Sequence, residues 1–303
     1  MRVYAVMVTY RRPREAAATL TAIRGQTRLP DSLVIVDNAP QEGAPERFKA
    51  LWGGSLDYLP MPENVGPAGG IAEGMRRVLV NASPDDWVLL IDDDDPPPTE
   101  DALERLAKFA IEMDDGYVAG VGLIGARMNW RTGTLERILD EDLCGPVPVD
   151  YVGGNQYPLY AVKALHDVGV FDSSLFFGFE ELEYGLRLGA AGWTIVIDGD
   201  FRRELRQASG RTGLGPNRPS RTVSDVTWRH YYSQRNSVII LLRYKAWRAL
   251  FWRVLTAVGK PIANLYRGPI ALRALSVNIR GTWHGLTGKT GRTIDPGISL
   301  VPE

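Results

Sequence analysis

The sequence predicts an α/β protein: a doubly wound, mostly parallel sheet with helices on both faces, followed by a basic helical extension. Three observations predict it. Strand and helix signals alternate through residues 1–198, the rhythm of parallel strands joined by helical crossovers. Asp37, Asn38 and the run Asp92, Asp93, Asp94, Asp95 stand where apolar runs end, and ligands of such sheets sit outside the carboxyl ends of the strands. Between Asp225 and Asp295 there is no acidic residue, yet that stretch holds twelve Lys and Arg.

The first strand is Val3-Tyr4-Ala5-Val6-Met7-Val8, a run rich in β-branched side chains. A helix over 14–26 places Ala16, Leu20 and Ile23 on one side. Leu33-Val34-Ile35-Val36 is the second strand and residues 56–59 the third. A helix over 70–80, a strand over 88–91 and a helix over 101–111 follow, the last announced by Thr99 and Glu100. Residues 118–124 and 194–197 complete the strands. The segment 202–219, rich in Arg, Gly, Ser and Pro, breaks the rhythm and is expected to be a mobile loop. Beyond it, Trp247, Leu250, Phe251, Val254, Leu255 and Val258 recur at helical spacing as one apolar face. Pro261 and Pro269 are expected to divide the remaining tail. The expected domains are residues 1–225, which hold the crevice, and the basic helical region 226–303.

Residues 1–225 carry 23 basic and 34 acidic side chains, a balance of −11 that the tail cancels almost completely. Two opposed blocks suggest two parts that meet different partners. With 45% hydrophobic and 23% charged residues, the composition is that of a soluble globular protein. The single Cys144 rules out an internal disulfide, which fits a reducing compartment. The apolar run 3–8 is too short for a secretion signal, and no run approaches the roughly 18 residues of a spanning helix. The expected location is cytoplasmic.

Four neighbouring carboxylates repel by roughly 1 kcal/mol per pair even in water. Asp92 and Asp94 are two apart, so a bend after the strand can aim both at one hard cation such as Mg²⁺ or Mn²⁺. A solvated acidic loop capping the next helix is the plainer alternative. Thr9-Tyr10-Arg11-Arg12-Pro13 can hold a base or ribose, or simply turn from strand to helix. In Glu63-Asn64-Val65-Gly66-Pro67-Ala68-Gly69-Gly70, three glycines before a helix let backbone N–H groups approach an anion, or serve packing alone. In the segment from Phe176 to Arg187, Glu183 and Arg187 are expected to be a surface i, i+4 pair. Glu180 and Glu181 either complement the helix dipole or supply a general base.

Taken in order, these motifs, with Val36-Asp37-Asn38 and the later Tyr231-Tyr232-Ser233-Gln234-Arg235-Asn236, resemble family 2 glycosyltransferases of the GT-A fold over about residues 1–240. Within that family the sequence looks most like bacterial rhamnosyltransferases and galactofuranosyltransferases. The resemblance implies an inverting, metal-dependent transfer from UDP-galactofuranose or dTDP-rhamnose to a hydroxyl of a saccharide or lipid-linked glycan. By position, Asp92 and Asp94 match the metal motif, Asp93 contacts the ribose, and Thr9, Arg11, Asp37, Asn64 and Gly69 hold the nucleotide. Glu181 falls on the catalytic-base position, where Asp is usual, and Glu180 is the second candidate. Gly153, Gly154 and Asn155 sit where the family shapes its acceptor pocket. The family's further metal-binding histidine has no counterpart in residues 198–213. Of the three histidines, His166 reads as a helix residue without a catalytic role, His230 is a displaced candidate, and His284 lies far along the tail.

In the tail, Trp228, Trp247, Phe251, Trp252, Tyr266 and Trp283 accompany the unopposed Lys and Arg. Basic amphipathic helices bind anionic membrane surfaces, each charge contributing about 1 kcal/mol, so a peripheral place on the inner face of the plasma membrane is expected. The structural alternative is a face packed on the catalytic domain. Nucleic acid is excluded as a partner because the tail follows an acidic domain and carries no nucleic-acid motif. A sugar-nucleotide-binding subunit without turnover, part of a glycan assembly complex, is the non-enzymatic alternative.

Overall fold

The computed structural model describes residues 1–153, 157–216 and 227–295. In chain order the first elements are β1 (Val3–Thr9), α1 (Pro13–Arg24), β2 (Ser32–Asp37), α2 (Ala44–Trp52), β3 (Leu56–Pro60), α3 (Gly66–Leu79), β4 (Trp87–Asp92) and α4 (Ala102–Met113). Short strands follow: β5 (Val118–Gly122), β6 (Gly125–Asn129), β7 (Thr134–Arg137), β8 (Pro146–Pro148), β9 (Tyr151–Val152) and β10 (Leu159–Ala161). The chain continues with α5 (Val162–Val168), α6 (Glu180–Ala190), β11 (Thr194–Asp198) and α7 (Gly199–Ala208). The last helices are α8 (Trp228–Arg243), α9 (Trp247–Ala263) and α10 (Pro269–Leu286).

Eight strands form one sheet in the order β3-β2-β1-β4-β10-β5-β11-β8. The pairs β1–β2, β1–β4, β2–β3 and β5–β11 are parallel, whereas β10 and β8 run antiparallel to their neighbours. Strands β1, β2, β4 and β5 are buried along nearly their whole length. Their unbroken apolar runs reflect a sheet covered on both faces. Helix α3 lies very close to β1: a Cβ on Gly70 would sit 2.5 Å from Val8 Cγ1, and one on Gly74 2.2 Å from Val6 Cγ1.

The chain forms two compact units. The first contains residues 1–126, 138–173 and 181–215, and so the whole eight-stranded sheet. The second contains residues 127–137, 174–180 and 216–303. Two internal segments thus group with the C-terminal helices. Within the second unit Phe176, Tyr231, Tyr232, Val277 and Ile294 form a small core. Small residues let α10 approach α8, since a Cβ on Gly285 would lie 2.7 Å from Val238 Cβ.

Three expectations require correction. Residues 202–208 are helical rather than a loop. Asp198 caps α7 by accepting the N–H of Phe201 at 2.9 Å, and Phe201 is fully buried. Arg206 is buried, donates to the Ile138 carbonyl at 2.9 Å and pairs with Asp140, so tertiary contacts override a basic composition. The rest of that expectation, residues 217–219, lies outside the described residues. Pro261 does not end a helix but sits in the last turn of α9; Pro269 does open α10. The apolar face expected on α9 is divided: Leu250 is buried, while Trp247, Phe251 and Leu255 point outward.

Candidate active site

The parallel registers bring the carboxyl ends of three strands together. Thr9 pairs with Asp37 across β1–β2, and Val8 pairs with Asp92 across β1–β4. Beyond Asp92 the chain turns, and its four aspartates separate into different surroundings. Asp93 is buried: its Oδ2 accepts the Thr9 hydroxyl at 2.8 Å, its Oδ1 accepts from Arg12 at 3.3 Å, and its carbonyl accepts from Thr19. Burial pushes the Asp93 carboxyl up, although Thr9 and Arg12 oppose the shift. Asp94 is exposed and pairs with the same guanidinium of Arg12. Partial burial disfavours that guanidinium charge, yet Asp93 and Asp94 together hold the Arg12 pKa above its usual value.

Asp92 is reached by solvent at the strand end but is surrounded closely by protein. That desolvation, then the negative charges of Glu181, Asp94, Asp95 and Asp93, pushes its carboxyl up to about 7. Glu181, half-buried at the start of α6, is thereby placed in the same electrostatic neighbourhood as Asp92. Its charge reaches two phenols as well. Burial and then Glu181 push Tyr151 up to about 12, and the same two causes raise the fully buried Tyr160. Glu180, one residue earlier, is 5% exposed.

The nucleotide candidates are ordered by their own hydrogen bonds. Asp37 is buried, with Oδ1 accepting the N–H of Ala39 at 2.9 Å and Oδ2 the Tyr58 hydroxyl at 2.7 Å. Burial and this contact raise the Tyr58 pKa well above its usual value. Asn64 Oδ1 accepts the N–H of Gly66 at 2.9 Å, and Asn38 binds both Val65 and Gly66, so the two amides shape the entry to α3. That helix begins at Gly66, four residues earlier than expected. Gly69 therefore lies inside it, and a Cβ there would meet Val65 at 2.7 Å, a packing reason for glycine. Arg11 has a left-handed backbone, φ 57°, and its guanidinium lies 5.2 Å from the Tyr10 ring centre. Such strain in a non-glycine residue is concentrated at functional sites. Thr9, Arg11, Arg12, Asp37, Arg47 and Phe48 line a narrow hollow here.

Of the acceptor candidates, Gly153 donates its N–H to the Ile124 carbonyl at 2.8 Å, whereas Gly154 and Asn155 lie outside the described residues. Glu183 and Arg187 do pair, at 3.0 Å, but not on the surface: the Glu183 side chain has no exposure. Arg187 also donates to the carbonyls of Val168 and Val170, which explains why this pair is drawn inward. Arg12 and Arg47 were not singled out from sequence. The one-residue choice between Arg11 and Arg12 is a matter of loop phase, and Arg47 rides on α2, whose start is signalled only by Pro45.

The oxygen donors at Asp92 fit a divalent cation. A carboxylate hemmed in by like charges has its charge offset by a hard ion, and Mg²⁺ typically takes only one or two carboxylates and keeps the rest of its shell for water and phosphate. No cluster of three or more acidic, His or Cys side chains suited to a metal occurs among the described residues. The histidines have other contacts or positions. His166 is exposed on α5, His230 Nδ1 accepts the N–H of Thr227 at the start of α8, and His284 bonds the Tyr231 hydroxyl.

Residues 4–156 match the family described as glycosyl transferase family 2. Galactofuranosyltransferase GlfT1 of Mycobacterium tuberculosis is 32% identical over 209 residues, 63% of this chain and 65% of that protein. Its namesake in Mycolicibacterium smegmatis is 30% identical over 208 residues. The matched stretch spans less than two thirds of either relative. Among solved structures, mannosyltransferase PcManGT from Pyrobaculum calidifontis, in complex with GDP-Man and Mn²⁺, aligns with a TM-score of 0.52 at 16% identity, covering 95% of this chain and 88% of that one. GalNAc-T7 with UDP, GalNAc and Mn²⁺ aligns with a TM-score of 0.59 at 13% identity, covering 95% and 56%. At these identities the likeness is one of fold.

Proposed function

The chain belongs to family 2 of the glycosyltransferases and has a GT-A fold, and from that membership we propose that it moves a sugar from a nucleoside-diphosphate donor to an acceptor hydroxyl with inversion. The supporting observation is the electrostatic coupling of Asp92, at the end of β4, with Glu181, at the start of α6. One residue stands where a donor diphosphate is expected, the other where a hydroxyl is to be deprotonated.

Glu181 takes the proton of the acceptor hydroxyl while its oxygen attacks the anomeric carbon. The new carbon–oxygen bond forms opposite the departing nucleoside diphosphate, so no covalent enzyme intermediate is needed. Asp92 and Asp94 are the residues that would hold Mg²⁺ or Mn²⁺. When bound, the cation offsets the charge of the leaving diphosphate. Thr9, Arg11, Asp37, Asn64, Gly69 and Asp93 are assigned to the nucleotide side, Glu180 is the second candidate for the base, and Gly153, Gly154 and Asn155 are assigned to the acceptor side. The donor is UDP-galactofuranose or dTDP-rhamnose; the name galactofuranosyltransferase of the relatives supports the former sugar. The acceptor is a saccharide or lipid-linked glycan, and the partner surface is an anionic membrane, on whose cytoplasmic face the protein is peripheral.

One observation favours a second reading, a sugar-nucleotide-binding subunit without turnover. Arg12 already supplies a cation to Asp93 and Asp94. A thermal-shift screen of UDP, dTDP and GDP with Mn²⁺ or EDTA, followed by assay of nucleotide release from the sugar donors, tests both. A ligand at about 100 times its Kd stabilises the native state by about 2.7 kcal/mol. A Mn²⁺-dependent shift with acceptor-dependent release supports transfer. A shift without release supports the binding subunit, and no shift with any nucleotide removes the donor site.

A further inference from the structure

The last two helices, α9 and α10, are packed inside out, unlike α8, which buries Tyr231, Tyr232, Val238, Ile240 and Leu241. The residues that α9 and α10 turn inward are mainly small: Ala249, Ala257, Ala271, Ala274, Gly281 and Gly285. Apart from the buried Leu250 and Val277, most of their large apolar side chains are outside. On α9, Trp247, Phe251 and Leu255 stand one turn apart and are 62%, 62% and 47% exposed. On α10, Leu272, Ile279, Trp283 and Leu286 are 58%, 50%, 63% and 47% exposed. Tyr266, in the turn between the helices, is 79% exposed. A helix of a soluble protein places these residue types the other way round, and large apolar side chains exposed in such number mark an interaction site.

The charges identify the partner. Arg273 and Arg280 are exposed and lie at helical spacing beside the apolar stripe of α10, and Arg248 is exposed within that of α9. No carboxylate occurs between residues 226 and 294 to pair with them. A second copy that presented this same face to it would oppose cation to cation. An anionic lipid surface satisfies both halves, taking the apolar side chains into the acyl boundary and the guanidinium groups at the phosphates. No described helix is long and apolar enough to cross a membrane, so an interfacial position is the one available to these helices.

We infer that the outward stripes of α9 and α10, with the turn at Tyr266, form the face that inserts into an anionic lipid surface. This rests on the membrane partner named above and identifies the surface responsible. It also accounts for the division of the apolar face of α9: the half that does not pack inside the protein packs into lipid.

The test is flotation of the full chain with phosphatidylcholine–phosphatidylglycerol vesicles and with phosphatidylcholine vesicles alone, comparing wild type, Phe251→Ser/Trp283→Ser and Arg273→Gln/Arg280→Gln. All four positions are exposed, and unchanged melting temperatures establish that each variant is folded. Wild type is expected to float with the anionic vesicles and far less with neutral ones. Both variants are expected to bind the anionic vesicles at least roughly tenfold more weakly, with the nucleotide-induced thermal shift unchanged. Failure of wild type to float overturns the membrane partner itself. Wild-type flotation with equal binding by both variants overturns the assignment of the face alone. A concentration-dependent dimer in sedimentation, abolished by Phe251→Ser/Trp283→Ser, without vesicle binding assigns the face to a second copy instead.

Discussion

Asn236 Nδ2 lies 2.7 Å from the carbonyl oxygen of Gly178, two residues before helix α6 begins at Glu180. The same amide reaches the carbonyls of Leu175 and Phe177 at 3.0 and 2.9 Å, and Arg235 holds its oxygen at 2.9 Å. Phe176, Gly178 and Phe179 all have positive φ, at 62°, 81° and 67°. For non-glycine residues that conformation costs of order 1–3 kcal/mol and persists only when its surroundings over-determine it. Asn236 supplies that restraint for the segment that leads into the proposed base.

Replacing it tests the restraint. Asn236→Ala leaves the carbonyls of Phe177 and Gly178 without this donor, while Leu175 keeps that of Arg235, and is expected to cost about 1–3 kcal/mol of stability. Sugar transfer per folded molecule should fall while the donor affinity, read by thermal shift, stays near that of wild type. Asn236→Asp should be worse on both counts, because a carboxylate cannot donate to carbonyls. Unchanged transfer by folded Asn236→Ala would show that the entry to α6 keeps its shape unaided.

Glu181→Gln keeps the size of the side chain and removes its basicity. Loss of a positioned general base typically costs about 10²–10⁴ in rate, so transfer should nearly vanish with donor affinity retained. Because Glu181 is the charge that most raises the Asp92 carboxyl, the substitution should also lower that pKa, measurable by carbon-detected NMR of labelled aspartate. Full turnover by Glu181→Gln eliminates it as base and moves the assignment to Glu180.

Stability should depend on pH through Asp92. Its carboxyl moves from the ordinary 3.8 to about 7 on folding, so within that window the native state holds a proton that the unfolded chain has released. Stability contributed by the protonated group is complete below about pH 4 and is lost as pH rises through about 7. Metal-free protein should therefore lose melting temperature from about pH 5 to about pH 8 more steeply than Asp92→Asn. A divalent cation takes the place of the proton, so Mn²⁺ should raise the melting temperature more at the higher pH, and only when Asp92 is present. Identical pH profiles for wild type and Asp92→Asn, with and without Mn²⁺, would refute both the perturbed carboxyl and its role as ligand.

What could be read in advance followed physical scale. Strands β1, β2 and β4 are apolar runs buried on both faces, and their ends locate Thr9, Asp37 and Asp92 without knowledge of the tertiary structure. Strand β10 escaped notice because three residues, Leu159 to Ala161, carry no period; what makes them a strand is the gap between β4 and β5. Helix α7 was obscured by its arginines, of which Arg206 finds its partner, Asp140, 66 residues away. The nearness of Asp92 to Glu181 likewise depends on packing between residues 89 positions apart, and only the motif order hinted at it. Local chemistry was legible; choices decided by a distant partner, such as the inward turn of Glu183 and Arg187, were not.

The Glu183–Arg187 pair shows what such a distant choice does to stability. Glu183 is wholly buried and Arg187 joins it at 3.0 Å while tying α6 to the carbonyls of Val168 and Val170 at 2.6 and 2.8 Å. Removing one partner of a buried pair typically costs about 3–5 kcal/mol, because the other charge stays behind without compensation, whereas replacing both with apolar groups is often nearly neutral. Arg187→Met should therefore be strongly destabilising, and Glu183→Leu/Arg187→Met should recover much of the loss in chemical denaturation. A double variant no more stable than Arg187→Met would place the cost in the two lost carbonyl contacts rather than in the stranded carboxylate.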